Sequence, residues 1–373
     1  MTSTTKSNRI YPLTKPPNHK PPMERWKLEF PETNPPRIYT TYIGVQRHNS
    51  SSTPNTLPLF IKALTSIQTW LDNLPPTHRP VFEKFTLLEG DDAPEARIWV
   101  CYWSDSTVYD ASIQELNLIN IYTNLDKPRN ICLWTEHFTS RTSSLETNYS
   151  GLDYLPGLAR LPGSTPIEHT LTAYWGAARD RIPDSGFDLF PQASENVTKY
   201  PLPTPNGLAE RIYGENSYDN IVHIRSGQFW GNCDTIESEA YEAMLEPTLN
   251  AGLRYLWENR ADSGALGLRF LRNDYTTTDP DLDREEEGKP KETCATGFFR
   301  NLSDLEKWSK RHPSHLAIFN GAIGHAKRFG EERKFRTWHE VSVLKKGDAK
   351  FEYVNCMAKT GVIRFLGLEK EGV

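Results

Sequence analysis

An α+β fold, built as two ferredoxin-like halves packed sheet to sheet, is what this chain of 373 residues predicts. Three observations predict it. A strand, helix, strand, strand order occurs twice along the chain, which is the signature of a repeated ferredoxin-like unit. The length suffices for one large domain, or two of ordinary size, around a sizeable core. The first 36 residues stand outside the pattern, because their prolines favour an extended arm over a folded unit.

The elements follow in order. Residues 37–46 alternate as a strand, residues 57–74 repeat at helical period and stop before Pro75, and residues 81–88 and 97–103 read as strands. The second round opens with a strand over 220–229 and a long helix over 237–260. Strands over 266–272 and 292–300 follow, then a broken helix over 302–329 in which Pro313 suits the first turn of a new segment. Residues 338–343 and 351–356 read as a final hairpin. On this reading the chain is an arm over 1–36 and one domain over 37–373, with approximate halves 37–210 and 211–373.

Composition excludes several partners. The chain carries 43 basic and 48 acidic residues, a net charge of -5, and has no electrostatic bias toward nucleic acid or anionic membrane. No apolar run is long enough to span a bilayer, and the N-terminus lacks the apolar core of a signal peptide, so the protein is expected in the cytoplasm. Cys101, Cys132, Cys233, Cys294 and Cys356 are odd in number and form no C-x-x-C pair, which reads as reduced thiols. Asn148-Tyr-Ser and Asn196-Val-Thr are glycosylation triplets without meaning in such a protein.

Common catalytic signatures are missing. There is no Walker loop, no G-x-G-x-x-G and no G-x-S-x-G elbow. The acidic stretch 274–290 tempts a calcium reading, but its spacing departs from an EF-hand loop and a solvated surface loop is the expectation.

Chemistry concentrates instead where polar side chains enter apolar stretches. At helical spacing His315 shares a stripe with Phe319, Ala322 and Ile323, and strand alternation puts His339 on one face with Phe335, Thr337, Val341 and Val343. Each imidazole therefore points into apolar surroundings, where it needs a ligand or a hydrogen-bond partner. Alternation also places Ser226 beside Val222 and Ile224, with Gly227 next to it where a ligand could approach the backbone. His315 reads either as a satisfied core histidine or as an axial haem ligand, and Ser226 either as a local backbone cap or as a substrate contact. His339 suits the side opposite His315, while His312 and His325 are expected to face water.

Longer motifs sharpen this. Tyr174-Trp-Gly-Ala-Ala-Arg-Asp-Arg-Ile-Pro, Asp219-Asn-Ile-Val-His-Ile-Arg-Ser-Gly-Gln-Phe-Trp, Leu305-Glu-Lys-Trp-Ser-Lys-Arg-His-Pro-Ser-His-Leu, His339-Glu-Val-Ser-Val and Phe351-Glu-Tyr-Val-Asn-Cys together resemble the haem-containing aldoxime dehydratases. The resemblance covers most of the chain. It implies a dimeric α+β barrel formed from two ferredoxin-like repeats, and a lyase that dehydrates aldoximes, R-CH=N-OH, to nitriles and water. It implies haem b, ferrous in the active form and bound to the substrate nitrogen, with His315 as the axial iron ligand. His339 would be the distal acid and base, Ser226 the hydrogen-bonding serine, and Arg181 and Glu146 their neighbours. It allows a homodimer without requiring one. A haem peroxidase or chlorite-decomposing enzyme and a non-catalytic haem carrier or sensor are the rival readings; the first would want a distal arginine or aspartate over ferric haem.

Overall fold

A computed structural model describes residues 9–31, 36–48, 56–125, 130–193, 209–274 and 291–373. Its strands are β1 (Trp26–Glu29), β2 (Arg37–Arg47), β3 (Val81–Gly90), β4 (Arg97–Trp103), β5 (Ile131–Arg141), β6 (Leu145–Tyr149) and β7 (Thr165–Glu168). They continue with β8 (Glu210–Glu215), β9 (Ile221–Phe229), β10 (Ala265–Asn273), β11 (Glu292–Phe299), β12 (Arg336–Leu344), β13 (Ala349–Val354) and β14 (Glu369–Gly372). The α-helices are α1 (Thr56–Asn73), α2 (Ser106–Glu115), α3 (Leu118–Thr123), α4 (Ala178–Arg181), α5 (Thr235–Ala240), α6 (Glu246–Glu258), α7 (Arg260–Ser263), α8 (Leu302–Arg311) and α9 (Pro313–Phe329). The acidic stretch lies outside the described residues, apart from Asp274 at its start.

Among the described residues all fourteen strands join one antiparallel sheet in the order β14-β8-β13-β5-β2-β4-β3-β10-β11-β9-β12-β6-β1-β7. The join between β3 and β10 turns on Gly90, whose φ of +145° and whose approach to the Leu268 carbonyl (2.6 Å from a built Cβ) admit no side chain. Beyond that join the sheet folds over itself. Ser140 on β5 donates to Ser342 on β12 at 2.7 Å, Tyr102 on β4 donates to Glu340 on β12 at 3.0 Å, and Arg225 on β9 pairs with Glu83 on β3 at 2.7 Å. None of these strands are neighbours in the sheet order, so the contacts run face to face.

Three buried clusters match the resulting layers. Tyr42, Phe85, Trp134, Phe138, Phe298 and Trp338 fill the space between the sheet halves. Ile43, Val45, Trp99 and Leu133 carry α1 and α3 on one outer face, and Val222, Ile224, Leu268 and Val341 carry α6 and α8 on the other. The strands explain this by alternation: in β9 Val222 and Ile224 face the helices while His223 and Arg225 face the inner layer.

Four expectations need correction. The long helix over 237–260 is interrupted by a π turn at Tyr241–Leu245, just before Pro247, which lacks the N–H that a regular turn needs. The final hairpin does not form: β12 is flanked by β9 and β6, whereas β13 is flanked by β5 and β8. A four-residue link over 345–348 carries the chain from one sheet half to the other, and alternation reads the same in both cases. Cys132 and Cys356 are joined by a disulfide across 224 residues, because β13 runs beside β5 and brings their Cα atoms to 5.1 Å. Gly227 makes room for a side chain of this chain: a Cβ there would lie 2.2 Å from the Trp338 indole.

The N-terminal stretch is tied at several points. Ile10 and Tyr11 donate backbone N–H groups to the Gly186 carbonyl, Thr14 and Lys15 donate to the Asp180 carboxylate, and residues 26–29 enter the sheet as β1 between β6 and β7. No described helix is long and apolar enough to cross a membrane.

Candidate active site

Between the outer face of β9, β12 and β6 and the start of α9 lies a cavity of about 1260 Å³, part of it open to solvent. Its sheet wall is a row in register: His339 on β12 stands directly between Ser226 on β9 and Asn148 on β6. Glu146 lies two residues from Asn148, on the same face of β6 by alternation. On the opposite wall α9 presents His315, Phe319, Ala322 and Ile323, the stripe expected from the sequence. His312 caps α9 by accepting from the Ser314 N–H through Nδ1, and Pro313 fills the first turn, which together fix where His315 points.

Arg181 reaches the sheet wall from α4, a single turn that stops before Pro183. Its guanidinium forks onto Glu146, Nε to Oε2 and Nη2 to Oε1, both at 3.0 Å. Nη2 also lies 2.9 Å from His339 Nε2, and Nη1 is held by the Thr172 and Tyr174 carbonyls. Glu146 Oε1 lies 3.1 Å from the same His339 Nε2. All three side chains are buried. Burial alone would raise the Glu146 carboxyl, but Arg181 and His339 overcome it and hold the group down at about 2.

His339 is pulled both ways. Burial pushes its imidazole below the ordinary value, Glu146 pulls it back up, and Arg181 and Arg25 push it down again, leaving a net lowering. Its Nε2 thus meets a donor and an acceptor at once. In the Nδ1–H tautomer of the neutral ring Nε2 accepts from Arg181; in the Nε2–H tautomer and in the imidazolium it donates to Glu146. Either way Nδ1, which has no hydrogen bond among the described residues, is the nitrogen left for a bound molecule. The Ser226 hydroxyl likewise makes no hydrogen bond to a described residue.

Across the cavity, burial pushes the His315 imidazole down to about 4, with the Ser309 backbone acting weakly the other way, so the ring is neutral at ordinary pH. Its Nδ1 is buried without a hydrogen-bond partner, and the rings of Trp308 and Trp175 lie 4.8 and 5.8 Å away. Among the described residues no group of three or more His, Cys, Asp or Glu side chains is arranged around a common metal position. His315 therefore suits a metal that brings its remaining ligands with it.

The five residues singled out from the sequence meet at this one cavity: His339, Ser226 and His315 line it, and Arg181 and Glu146 brace His339 from behind. His325 departs from expectation. It is buried between Phe329 and Phe335, 3.9 Å from Glu237, because the chain after α9 folds back over it. Asn148 was passed over as a glycosylation triplet. It lies beside His339, accepts from His169 Nε2–H through Oδ1 at 3.0 Å, and donates through Nδ2 to the Ala173 carbonyl at 3.2 Å. The alternation Glu146, Asn148 along one strand was the available signal. Arg25 and Arg333 also line the cavity, and neither had a sequence signal.

The chain is 28% identical over 359 residues to a phenylacetaldoxime dehydratase of Bacillus sp. (strain OxB-1), covering 94% of this chain and 93% of that one. It is 29% identical over 351 residues to an aliphatic aldoxime dehydratase of Pseudomonas chlororaphis, covering 94% and 93%. A crystal structure of an aldoxime dehydratase (OxdRE) in complex with butyraldoxime superposes with a TM-score of 0.76 at 26% identity, over 96% of this chain and 93% of that one. The sequence pattern of the haem-containing dehydratases matches residues 41–362, and the chain belongs to that family.

Proposed function

We propose that this protein dehydrates aldoximes to nitriles and water, with haem b held by His315. The observation that carries the reading is the cavity itself, which sets a braced histidine and a free serine hydroxyl opposite a neutral, unpartnered imidazole. The residues fit a haem: His315 offers a buried nitrogen without a partner, and the α9 stripe with Trp308 and Leu253 offers an apolar wall for a porphyrin face. Held by His315, haem in the ferrous state would supply an electron-rich iron able to bind the oxime and weaken its N–O bond.

The chain's own residues do the proton work. Ser226 hydrogen-bonds the oxime hydroxyl and turns it toward His339. His339 as imidazolium, its Nε2–H held by Glu146, gives the Nδ1 proton to the departing hydroxyl, which leaves as water. The neutral ring then takes the proton from the oxime carbon at Nδ1, and one residue serves as acid and base in turn. Arg181 fixes Glu146 in place by its bidentate fork and disfavours a permanently charged ring.

The same reading extends to architecture. The orders β5-β2-β4-β3 and β10-β11-β9-β12 each set the fourth strand of a round beside its first and the third between first and second, which supports two ferredoxin-like repeats closed as a dimeric α+β barrel. A glycine under a tryptophan recurs in both, Gly44 under Trp134 and Gly227 under Trp338. A homodimer and a cytoplasmic location belong to the same proposal.

The test is an anaerobic assay of haem-loaded protein with aryl, arylalkyl and alkyl aldoximes, under dithionite and after ferricyanide oxidation. Nitrile formation is expected in the reduced protein. Equal rates in the two oxidation states would overturn the ferrous mechanism, and no nitrile from any aldoxime would overturn the function.

A further inference from the structure

Among the described residues six arginines are buried: Arg25, Arg181, Arg225, Arg269, Arg300 and Arg333. Four of them pair with carboxylates, Arg181 with Glu146, Arg225 with Glu83, Arg269 with Asp92 and Glu136, and Arg300 with Asp304. Arg25 and Arg333 do not. Among the described residues neither forms an ion pair; Nε and Nη1 of Arg25 and Nε of Arg333 are buried with no hydrogen-bond partner. Arg333 touches the Met23 sulfur at 3.3 Å and the Phe335 ring at 5.1 Å; Glu237 and Asp153 act on its charge from beyond ion-pair distance, and burial together with Arg336 outweighs them. An uncompensated buried guanidinium is costly, and two at one site imply an anion that belongs there.

Both line the cavity of the candidate active site, at its outer end. Pro22, Met23, Ile323 and Arg333 are shared with a neighbouring surface cleft, which marks where the cavity opens. The backbone holds both arginines firmly. Arg25 accepts from the His169 N–H at 2.9 Å and precedes β1, while the Arg333 carbonyl accepts from Arg336, whose own guanidinium is bound to Asp153. The charges around Arg25 are themselves positive, Arg333 and Arg181, and together with burial they bring its guanidinium down to about 9.

We propose that Arg25 and Arg333 form a carboxylate clamp for the two propionates of haem, which orients the ring with its acidic edge toward the cavity mouth. This rests on the reading that haem occupies the cavity. A porphyrin whose apolar edge is buried in the cavity would leave its two carboxylates toward the mouth, where two guanidinium groups supply matched charge and fixed hydrogen-bond donors. Without that ligand the clamp is a strained pair of like charges. It therefore trades stability of the haem-free chain for affinity.

That trade gives a readout a structural role would not mimic. Full-length protein produced without haem is titrated with protohaem IX and with its dimethyl ester, following the Soret band, for wild type, Arg25→Met and Arg333→Met. Each variant should bind protohaem roughly tenfold more weakly, the loss of one charge-assisted contact, and bind the ester as wild type does. Each haem-free variant should melt at a higher temperature than haem-free wild type. Arg→Lys at either site should recover part of the protohaem affinity. Equal loss for acid and ester, or a lower melting temperature of both haem-free variants, would make the arginines structural and overturn the clamp. Wild type that binds acid and ester equally well would overturn it while leaving haem in the cavity. Wild type that binds neither would overturn the haem reading and the clamp together.

Discussion

His339 Nε2 is contested by a carboxylate and a guanidinium, and the balance between them sets how often the ring is charged. Glu146→Gln keeps the shape and removes the anion. The His339 imidazole should then fall further below its ordinary value, since Glu146 is what opposes its burial. If the imidazolium is the acid, the falling alkaline limb of the rate profile should move to lower pH and the rate at neutral pH should drop. His339→Ala should lose about two to four orders of magnitude in nitrile formation while retaining haem. An unmoved pH profile in Glu146→Gln would remove Glu146 from the proton chemistry, and near-normal turnover in His339→Ala would remove His339. At this scale the sequence was readable where a residue breaks a pattern. His315 and His339 each interrupt an apolar stripe and sit in long motifs. Arg25 and Arg333 interrupt nothing, because lacking a partner is a property of the folded surroundings and leaves no mark on neighbours in the chain.

Among the elements, α4 joins more parts than its four residues suggest. Arg179 binds Glu306 on α8, Asp180 binds the arm at Thr14 and Lys15, and Arg181 binds Glu146 on β6. Three consecutive charges thus tie a helix, the N-terminal stretch and the sheet wall of the cavity to one turn. Asp180→Ala removes only the middle tie. The Thr14 and Lys15 amides should then exchange hydrogen at least tenfold faster, and stability should fall by about 1–3 kcal/mol for the donors left without an acceptor. Unchanged exchange at both amides would mean the arm is held elsewhere. The strands and helices read from the sequence fall within a few residues of their observed bounds because periods of 2 and 3.6 are local, whereas β5, β6, α2 and α3 were not read at all. The partner of a strand is not local. β12 and β13 alternate as a hairpin would, and only the folding of one sheet half over the other separates them. The disulfide was hidden for the same reason, since Cys132 and Cys356 become neighbours through the pairing of β13 with β5.

Across the whole molecule the twofold strand order was legible, but the ionic character of the layer between the halves was not. Arg225, Glu83, Glu340, Arg269 and Glu136 look like surface charges on alternating strands until the sheet closes over them. Such burial has a consequence for pH. All five buried histidines, His169, His223, His315, His325 and His339, are shifted down, each chiefly by burial, with His169 and His315 at about 4. In the unfolded chain each takes up a proton near pH 6.5. The unfolded state therefore binds more protons below that pH, and stability must fall as pH falls, by up to about 1.4 kcal/mol per unit for each group. Glu292 and Glu340 act in the opposite sense. Burial raises both to about 7, so they favour the fold as pH drops from 7 toward 4.5. His48 and His137 are lowered as well and Asp91 and Glu246 raised, so lowered imidazoles still outnumber raised carboxyls and the net effect of acid is a loss of stability. The urea midpoint should thus be highest near neutral pH and fall toward about pH 5, with the Soret band lost in the same window as the His315 side chain takes up a proton. A midpoint that is flat or rises from pH 7 to 5 would show that the buried histidines do not govern the stability of the fold.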